Sequence, residues 1–230
     1  ISVMVLDPGL RYERKFLLEG YEAAQARALI LSHPAMFREP YPPRFINNIY
    51  FDTPWMDHYD ANISGSPHRG KVRLRWYHDL CGEIMDGTLE FKNKRGWVGW
   101  KESYPFPTFR FDTAMTHREL QAVIGNSELP AAVIDRLCGY SVSLVNRYRR
   151  EYYATSDNRF RITLDSNLTY YRAGRLSNPL IAKTVDRGVI VVELKYGSRD
   201  ELQAQRIASR FPFRMTRSSK YVRGVEYFLA

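Results

Sequence analysis

Two short stretches carry a charged side chain at every second position, Lys71-Val72-Arg73-Leu74-Arg75 and Leu89-Glu90-Phe91-Lys92-Asn93-Lys94. In a β-strand, residues two apart share a face and lie roughly 6.8 Å from one another. Lys71, Arg73 and Arg75 then line one face, with Val72 and Leu74 behind them. Glu90, Lys92 and Lys94 do the same, with Leu89 and Phe91 behind. The pattern recurs. Arg11, Glu13 and Lys15 alternate with Tyr12 and Phe16. Arg147, Arg149 and Glu151 alternate with Tyr148 and Tyr152. Arg159, Arg161, Thr163 and Asp165 alternate with Phe160, Ile162 and Leu164, and Glu193 and Lys195 stand two apart. One such strand is most simply a half-buried strand with a solvated face. Repetition changes the reading, because like charges opposite each other across a sheet repel. Cations repeated on one face, with a few carboxylates among them, suit a polyanion and a divalent metal.

The chain that must position these faces has 230 residues, 44% hydrophobic and 14% aromatic, with a formal net charge of +9. That length suits one sizeable domain, read here as a single domain over 1–230, and suffices to bury a core. A pI near 9.6 points to anionic partners. Cys81 and Cys138 are far apart and belong to no Cys/His cluster, so neither a zinc site nor a disulfide is expected. No apolar run approaches the roughly 20 residues of a membrane helix, and no signal peptide is visible. A reducing, cytoplasmic setting is the expectation, whether for the chain alone or as the cytoplasmic domain of a larger or membrane-associated assembly.

Strand patterns are expected over Arg11 to Leu18, Phe45 to Phe51, Lys71 to Tyr77, Thr88 to Lys94, Trp100 to Phe106, Ser143 to Thr155, Asn158 to Asp165 and Val189 to Tyr196. Cys81 to Gly87 joins two of them as a hairpin, and Gly96 and Gly99 interrupt the stretch that follows. Helices are expected over Tyr21 to Ser32, up to Ile63, after the capping box Thr116-His117-Arg118-Glu119, over Pro130 to Cys138, and after a second box, Ser198-Arg199-Asp200-Glu201. Antiparallel-looking strand groups with helices between them give an α+β fold. If the strands close into a barrel, the apolar positions pack outward against helices and the charged face points inward as a tunnel.

The ordered set Tyr12-Glu13-Arg14-Lys15-Phe16, Lys71-Val72-Arg73-Leu74-Arg75, Glu90-Phe91-Lys92, Arg161-Ile162-Thr163-Leu164-Asp165, Glu193-Leu194-Lys195 and Ser218-Ser219-Lys220 resembles the triphosphate tunnel metalloenzymes, most closely their VTC or polyphosphate polymerase branch. Asn48-Ile49-Tyr50-Phe51-Asp52-Thr53 is also similar to that branch. The resemblance spans about Arg11 to Glu226. It implies an eight-stranded antiparallel tunnel barrel with a charged interior, flanked by helices. It further implies that Arg73, Arg75, Lys92, Arg161 and Lys220 grip the reacting phosphates. Lys15, Lys71, Lys94, Arg150, Lys195, Arg217 and Ser219 would support them, and Glu193 would hold Mn²⁺ or Mg²⁺. Two positions depart from the pattern. Arg11 stands where the superfamily's first strand carries a glutamate, and Arg217 where the branch tends to have lysine.

The activity implied is transfer of the γ-phosphoryl group of ATP to a growing polyphosphate chain. ATP and inorganic polyphosphate would be the partners. A metal-dependent tri- or polyphosphate or nucleoside-triphosphate hydrolase, and a polyphosphate-binding module without turnover, are the alternatives. Nucleic acid is not expected, because acidic residues interleave the basic faces and no nucleic-acid-binding motif is present. The five histidines form no constellation.

Overall fold

Period-two alternation becomes strand along most of the chain. In the computed structural model, which describes residues 11–95, 98–112, 114–173 and 182–229, the order is β1 (Arg11–Glu19), α1 (Ala23–Leu31), β2 (Arg44–Asp52), α2 (Asp57–Ile63), β3 (His68–Tyr77), β4 (Gly82–Ile84), β5 (Thr88–Arg95), β6 (Val98–Pro105), β7 (Phe109–Phe111), α3 (His117–Gly125), α4 (Ala131–Cys138), β8 (Ser141–Ala154), β9 (Arg161–Arg172), β10 (Ala182–Asp186), β11 (Val189–Gly197), α5 (Glu201–Ser209) and α6 (Lys220–Leu229). Eight strands follow one path, β1-β11-β9-β8-β2-β3-β5-β6. β10 pairs with β9, and β4 and β7 form a separate two-stranded sheet. The fold is α+β with an antiparallel sheet, as the alternation implies. Gly96 and Trp97 lie outside the described residues.

The chain separates into two compact units, Ile1–Pro43 with Arg150–Ser166 and Arg187–Ser218, and Arg44–Arg149 with Asn167–Asp186 and Ser219–Ala230. In the first, Phe16 and Leu18 of β1, Ile162 and Leu164 of β9, and Val192 and Leu194 of β11 share a core with Ala26 and Ile30 of α1 and Ala204 and Ile207 of α5. In the second, Ile49, Val72, Leu74, Trp76, Leu89 and Phe91 pack with Leu120 and Ile124 of α3 and Val133 and Leu137 of α4. Each sheet face that meets helices is thus apolar, and alternation sends the charged residues to the opposite face.

Local chemistry sets most boundaries. The box at α3 forms as expected: Glu119 N–H donates to Thr116 Oγ1 at 3.2 Å, and Thr116 N–H donates to the Glu119 carboxylate at 2.7 Å. The second box does not form. Ser198–Asp200 is a 3₁₀ turn, and no side chain caps α5. Its carboxylates are engaged elsewhere, Asp200 by Arg159 and Glu201 by Arg14 and the Tyr196 hydroxyl. β3 and β5 pair directly, but their connection holds β4, which pairs with β7 instead of extending a simple hairpin. β9 starts later than expected and continues to Arg172.

Helix α6 brings Ser219 and Lys220 to the second unit's charged face. Tyr221 stacks on Tyr50 with ring centroids 5.0 Å apart, and its hydroxyl donates to the buried Asp52. Gly224 permits this closeness, because a Cβ there would lie 2.5 Å from Leu144 Cδ2 and 2.5 Å from Tyr170 Cδ1. Gly224→Ala is expected to lower stability by about 2 kcal/mol through overpacking, despite alanine's better helix propensity. Chemical denaturation of the two proteins checks this, and an unchanged or raised midpoint contradicts it.

Candidate functional site

In the first unit, strand register stacks charges in rows. Lys15 faces Glu193, which faces Thr163 on the next strand, and Glu13 faces Lys195, which faces Arg161. The Glu193 carboxylate is buried among donors. Lys15 Nζ lies 3.0 Å from one oxygen, Lys195 Nζ lies 3.1 Å from the other, and Arg150 Nη2 lies 4.0 Å from that second oxygen. The Thr163 hydroxyl donates to it at 3.4 Å. Lys15 also reaches Glu13 at 2.7 Å, so one ammonium bridges two carboxylates. Burial works to lower the pKa of Lys15, but Glu193 and Glu13 outweigh it and raise the value, so Lys15 stays charged. Arg150 is oriented by a two-pronged contact to the buried Asp165, at 2.6 and 2.7 Å.

These donors can be tested against the divalent metal that the resemblance implies. Among the described residues no group of three or more His, Cys, Asp or Glu side chains could hold an ion. Glu193 and Glu13, joined through one ammonium, form an oxygen donor pair. Such a pair fits a hard cation that takes its remaining ligands from phosphate oxygens and water.

In the second unit, Glu90 is the centre. Arg73 Nε donates to its Oε2 at 2.6 Å, Lys101 Nζ lies 3.0 Å from Oε1, and Arg75 Nη1 lies 3.9 Å from Oε2. Burial pushes the Glu90 carboxyl up, yet Arg73, Arg75, Lys92 and Lys101 together hold it well below the usual carboxylate range. Beside this pair runs a row of like charges, with Lys71 opposite Lys92 and Lys92 opposite Lys101 across β3, β5 and β6. Lys71 Nζ donates to Ser219 Oγ at 2.8 Å, and the Lys220 ammonium lies 4.9 Å from the Tyr148 ring centroid. Arg75 donates to Asn48 Oδ1 at 3.0 Å and to the Tyr148 hydroxyl at 3.2 Å.

Of the residues singled out by sequence, Lys15, Arg150, Glu193 and Lys195 meet in the first unit. Lys71, Arg73, Arg75, Lys92, Ser219 and Lys220 lie on the charged face of the second. Arg161 is exposed and in register with Lys195, Lys94 is in register with Arg69 and Gly99, and Arg217 is exposed in the segment before α6. Among the described residues, these three make no hydrogen bond or ion pair to either network. Glu151 lies on the other face from the one expected: it is buried and takes both prongs of Arg27 at 2.8 Å and the Tyr153 hydroxyl at 2.6 Å. Sequence reasoning did not assign Lys101, Tyr148, Asn48 or Asn146. Lys101 stands in Lys101-Glu102-Ser103, three polar residues in a row that break the charged–apolar alternation, and the two asparagines carry no charge.

The sequence profile of the VTC domain family matches residues 10–229. Among curated proteins no match was found. Solved structures with a similar fold include a Vibrio parahaemolyticus protein described as a candidate adenylate cyclase. It is 13% identical with a TM-score of 0.50, over 92% of this chain and 97% of that one. Another is a Hippeastrum protein described as a candidate adenylyl cyclase with a dominant triphosphatase activity, 14% identical with a TM-score of 0.50, over 92% of this chain and 95% of that one. At these identities the likeness concerns the fold.

Glu90→Gln is expected to cost about 3 kcal/mol of stability, because it leaves Arg73 buried without its counter-charge. The sign with pH follows from the lowered pKa. The contribution is complete above the unfolded glutamate value of about 4.3 and is lost as pH falls toward the depressed folded value. Melting curves between about pH 6 and pH 3 should therefore fall more steeply for the parent chain than for the variant. Parallel curves would remove Glu90 from this role.

Proposed function

The chain belongs to the VTC domain family of the triphosphate tunnel metalloenzymes, and from that membership we propose that it is an ATP-dependent polyphosphate polymerase. The observation that carries the reading is the row Lys71, Lys92, Lys101, set in register beside Arg73 and Arg75. Three ammonium groups directly opposite one another disfavour the sheet; Glu90 engages Lys101, and an extended chain of phosphates would supply further counter-charge along the row.

In the reaction, a terminal oxygen of the polyphosphate chain forms a bond to the γ-phosphorus of ATP. The bond from that phosphorus to the β,γ-bridging oxygen breaks, and ADP leaves with the electron pair. No protein nucleophile is needed, so the chain's contribution is positioning and charge neutralisation. Arg73, Arg75, Lys92, Arg161 and Lys220 hold the reacting phosphates, with forked guanidiniums fixing angle and ammonium groups supplying point charge. Lys15, Lys71, Lys94, Arg150, Lys195, Arg217 and Ser219 support them. Asp165 keeps Arg150 aimed toward Glu193. Glu193, with Glu13, would hold Mn²⁺ or Mg²⁺, which when bound neutralises charge on the phosphate oxygens. The setting proposed is cytoplasmic; among the described residues no helix is long and apolar enough to cross a membrane.

The second reading is a metal-dependent hydrolase, in which water replaces the polyphosphate end as acceptor. It takes support from the triphosphatase activity named for the Hippeastrum relative in fold. The product separates the two. Incubation with ATP and Mn²⁺ is expected to yield ADP and long phosphate chains; free phosphate without chains would establish the hydrolase instead. Glu193→Ala is expected to abolish turnover while polyphosphate binding stays at least as tight, since Lys15, Lys195 and Arg150 lose a shared counter-charge. Turnover retained with binding lost would refute that role.

A further inference from the structure

Asn146 on β8 is 1% exposed, and the orientation of its amide is fixed by a relay that starts at an arginine. A guanidinium carries donors only, so the Asn48 atom that receives Arg75 Nε–H at 3.0 Å is Oδ1. Asn48 Nδ2 then points at Asn146, and the atom it meets at 2.8 Å is Asn146 Oδ1. Reversing either amide would set donor against donor. Asn146 Nδ2 is left facing away from Asn48, buried, and without a hydrogen-bond partner among the described residues. A buried donor with no acceptor is costly; a ligand that supplies one removes the cost.

The surroundings say what kind of ligand. Alternation puts Asn146 on the same side of β8 as Tyr148. The Tyr148 hydroxyl accepts from Arg75 Nη2 at 3.2 Å, and its ring lies beside the Lys220 ammonium. Arg75, Lys220 and Asn146 thus present donors to one region. The carboxylate near Arg75, Glu90, is already engaged by Arg73 and Lys101. An oxygen-rich anion fits.

We propose that Asn146 is a phosphate-binding residue, its Nδ2 donating to a phosphoryl oxygen of a tri- or polyphosphate chain held by Arg75 and Lys220. This rests on the phosphate reading above and adds a neutral donor to it. The nitrogen is covered in the free chain, so the incoming oxygen reaches it by a rearrangement of that face that also engages Arg75 and Lys220. An amide here donates without adding charge, and an acid of the same shape could only accept and repel.

The test is titration of the full chain with inorganic triphosphate and, separately, with ATP, by calorimetry and by amide ¹H–¹⁵N spectra. N146A is expected to bind triphosphate about ten-fold more weakly than the parent, and N146D more weakly still. The side-chain NH₂ pair that is missing from the N146D spectrum is expected to move when triphosphate is added to the parent chain. If N146D does not fold, direct assignment of that pair in the parent keeps the readout. Equal affinities and an unmoved pair, with triphosphate still bound, overturn the role of Asn146 and leave the phosphate reading standing; the amide then serves a buried water. A shift with ATP but not with triphosphate overturns it too, because the acceptor is then on the nucleoside. No binding of either anion to the parent chain removes the phosphate reading and this site with it.

Discussion

Like charges held in register on neighbouring strands repel, and this chain holds many of them. Two unit charges 4 Å apart interact by about 4 kcal/mol at an effective dielectric of 20. The fold meets this with buried carboxylates set among the cations, Glu193 and Asp165 in the first unit and Glu90 in the second. In the first unit Glu13 and Asp165 complete the balance against Lys15, Lys195 and Arg150, whereas the second falls short. Glu90 answers to Arg73, Arg75, Lys92 and Lys101, so positive charge remains for a ligand to neutralise. The apolar backs of the same strands, covered by α1 and α5 in one unit and α3 and α4 in the other, supply the burial that holds such a face together.

Arginines and lysines divide the labour. Two arginines are struts that grip buried acids, Arg27 on Glu151 and Arg223 on Asp186. A planar fork suits that duty. Lys92 and Lys101 instead stand on the exposed side of their strands. A net charge of +9 therefore misstates the surface offered to an anion, because part of the arginine charge is spent inside the fold.

Much of this was legible in the sequence, for a physical reason. Where a strand carries charge at every second position and apolar residues between, as at Lys71 to Arg75 or Arg161 to Asp165, only one register buries the apolar set. The faces of Arg73, Glu90 and Glu193 follow directly. Where charges run on consecutive positions, as in Arg149-Arg150-Glu151, both parities carry charge and the pattern cannot choose. That is why Glu151 was expected on the wrong face. The failed box at Ser198 has a different origin, since Arg159 and Arg14, remote in sequence, claim its acids. The pairing of Asn48 with Asn146 joins residues 98 apart through neutral groups, and no local pattern announces it.

The two carboxylate centres differ in the length of chain that each must close. Glu90 meets Arg73 at a separation of 17 residues and Lys101 at 11, within strands joined by short connections. Glu193 meets Lys15 at a separation of 178. Closing a long loop costs entropy before any contact repays it, and such pairings form slowly. The two networks therefore mature at different moments in folding. The Glu90 network belongs to a local meander, whereas the Glu193 network is complete only once β1, remote in sequence, brings Lys15 to it. A chain folded only in the Glu90 meander thus already holds its basic strands in register before the Lys15 bridge between Glu193 and Glu13 is closed.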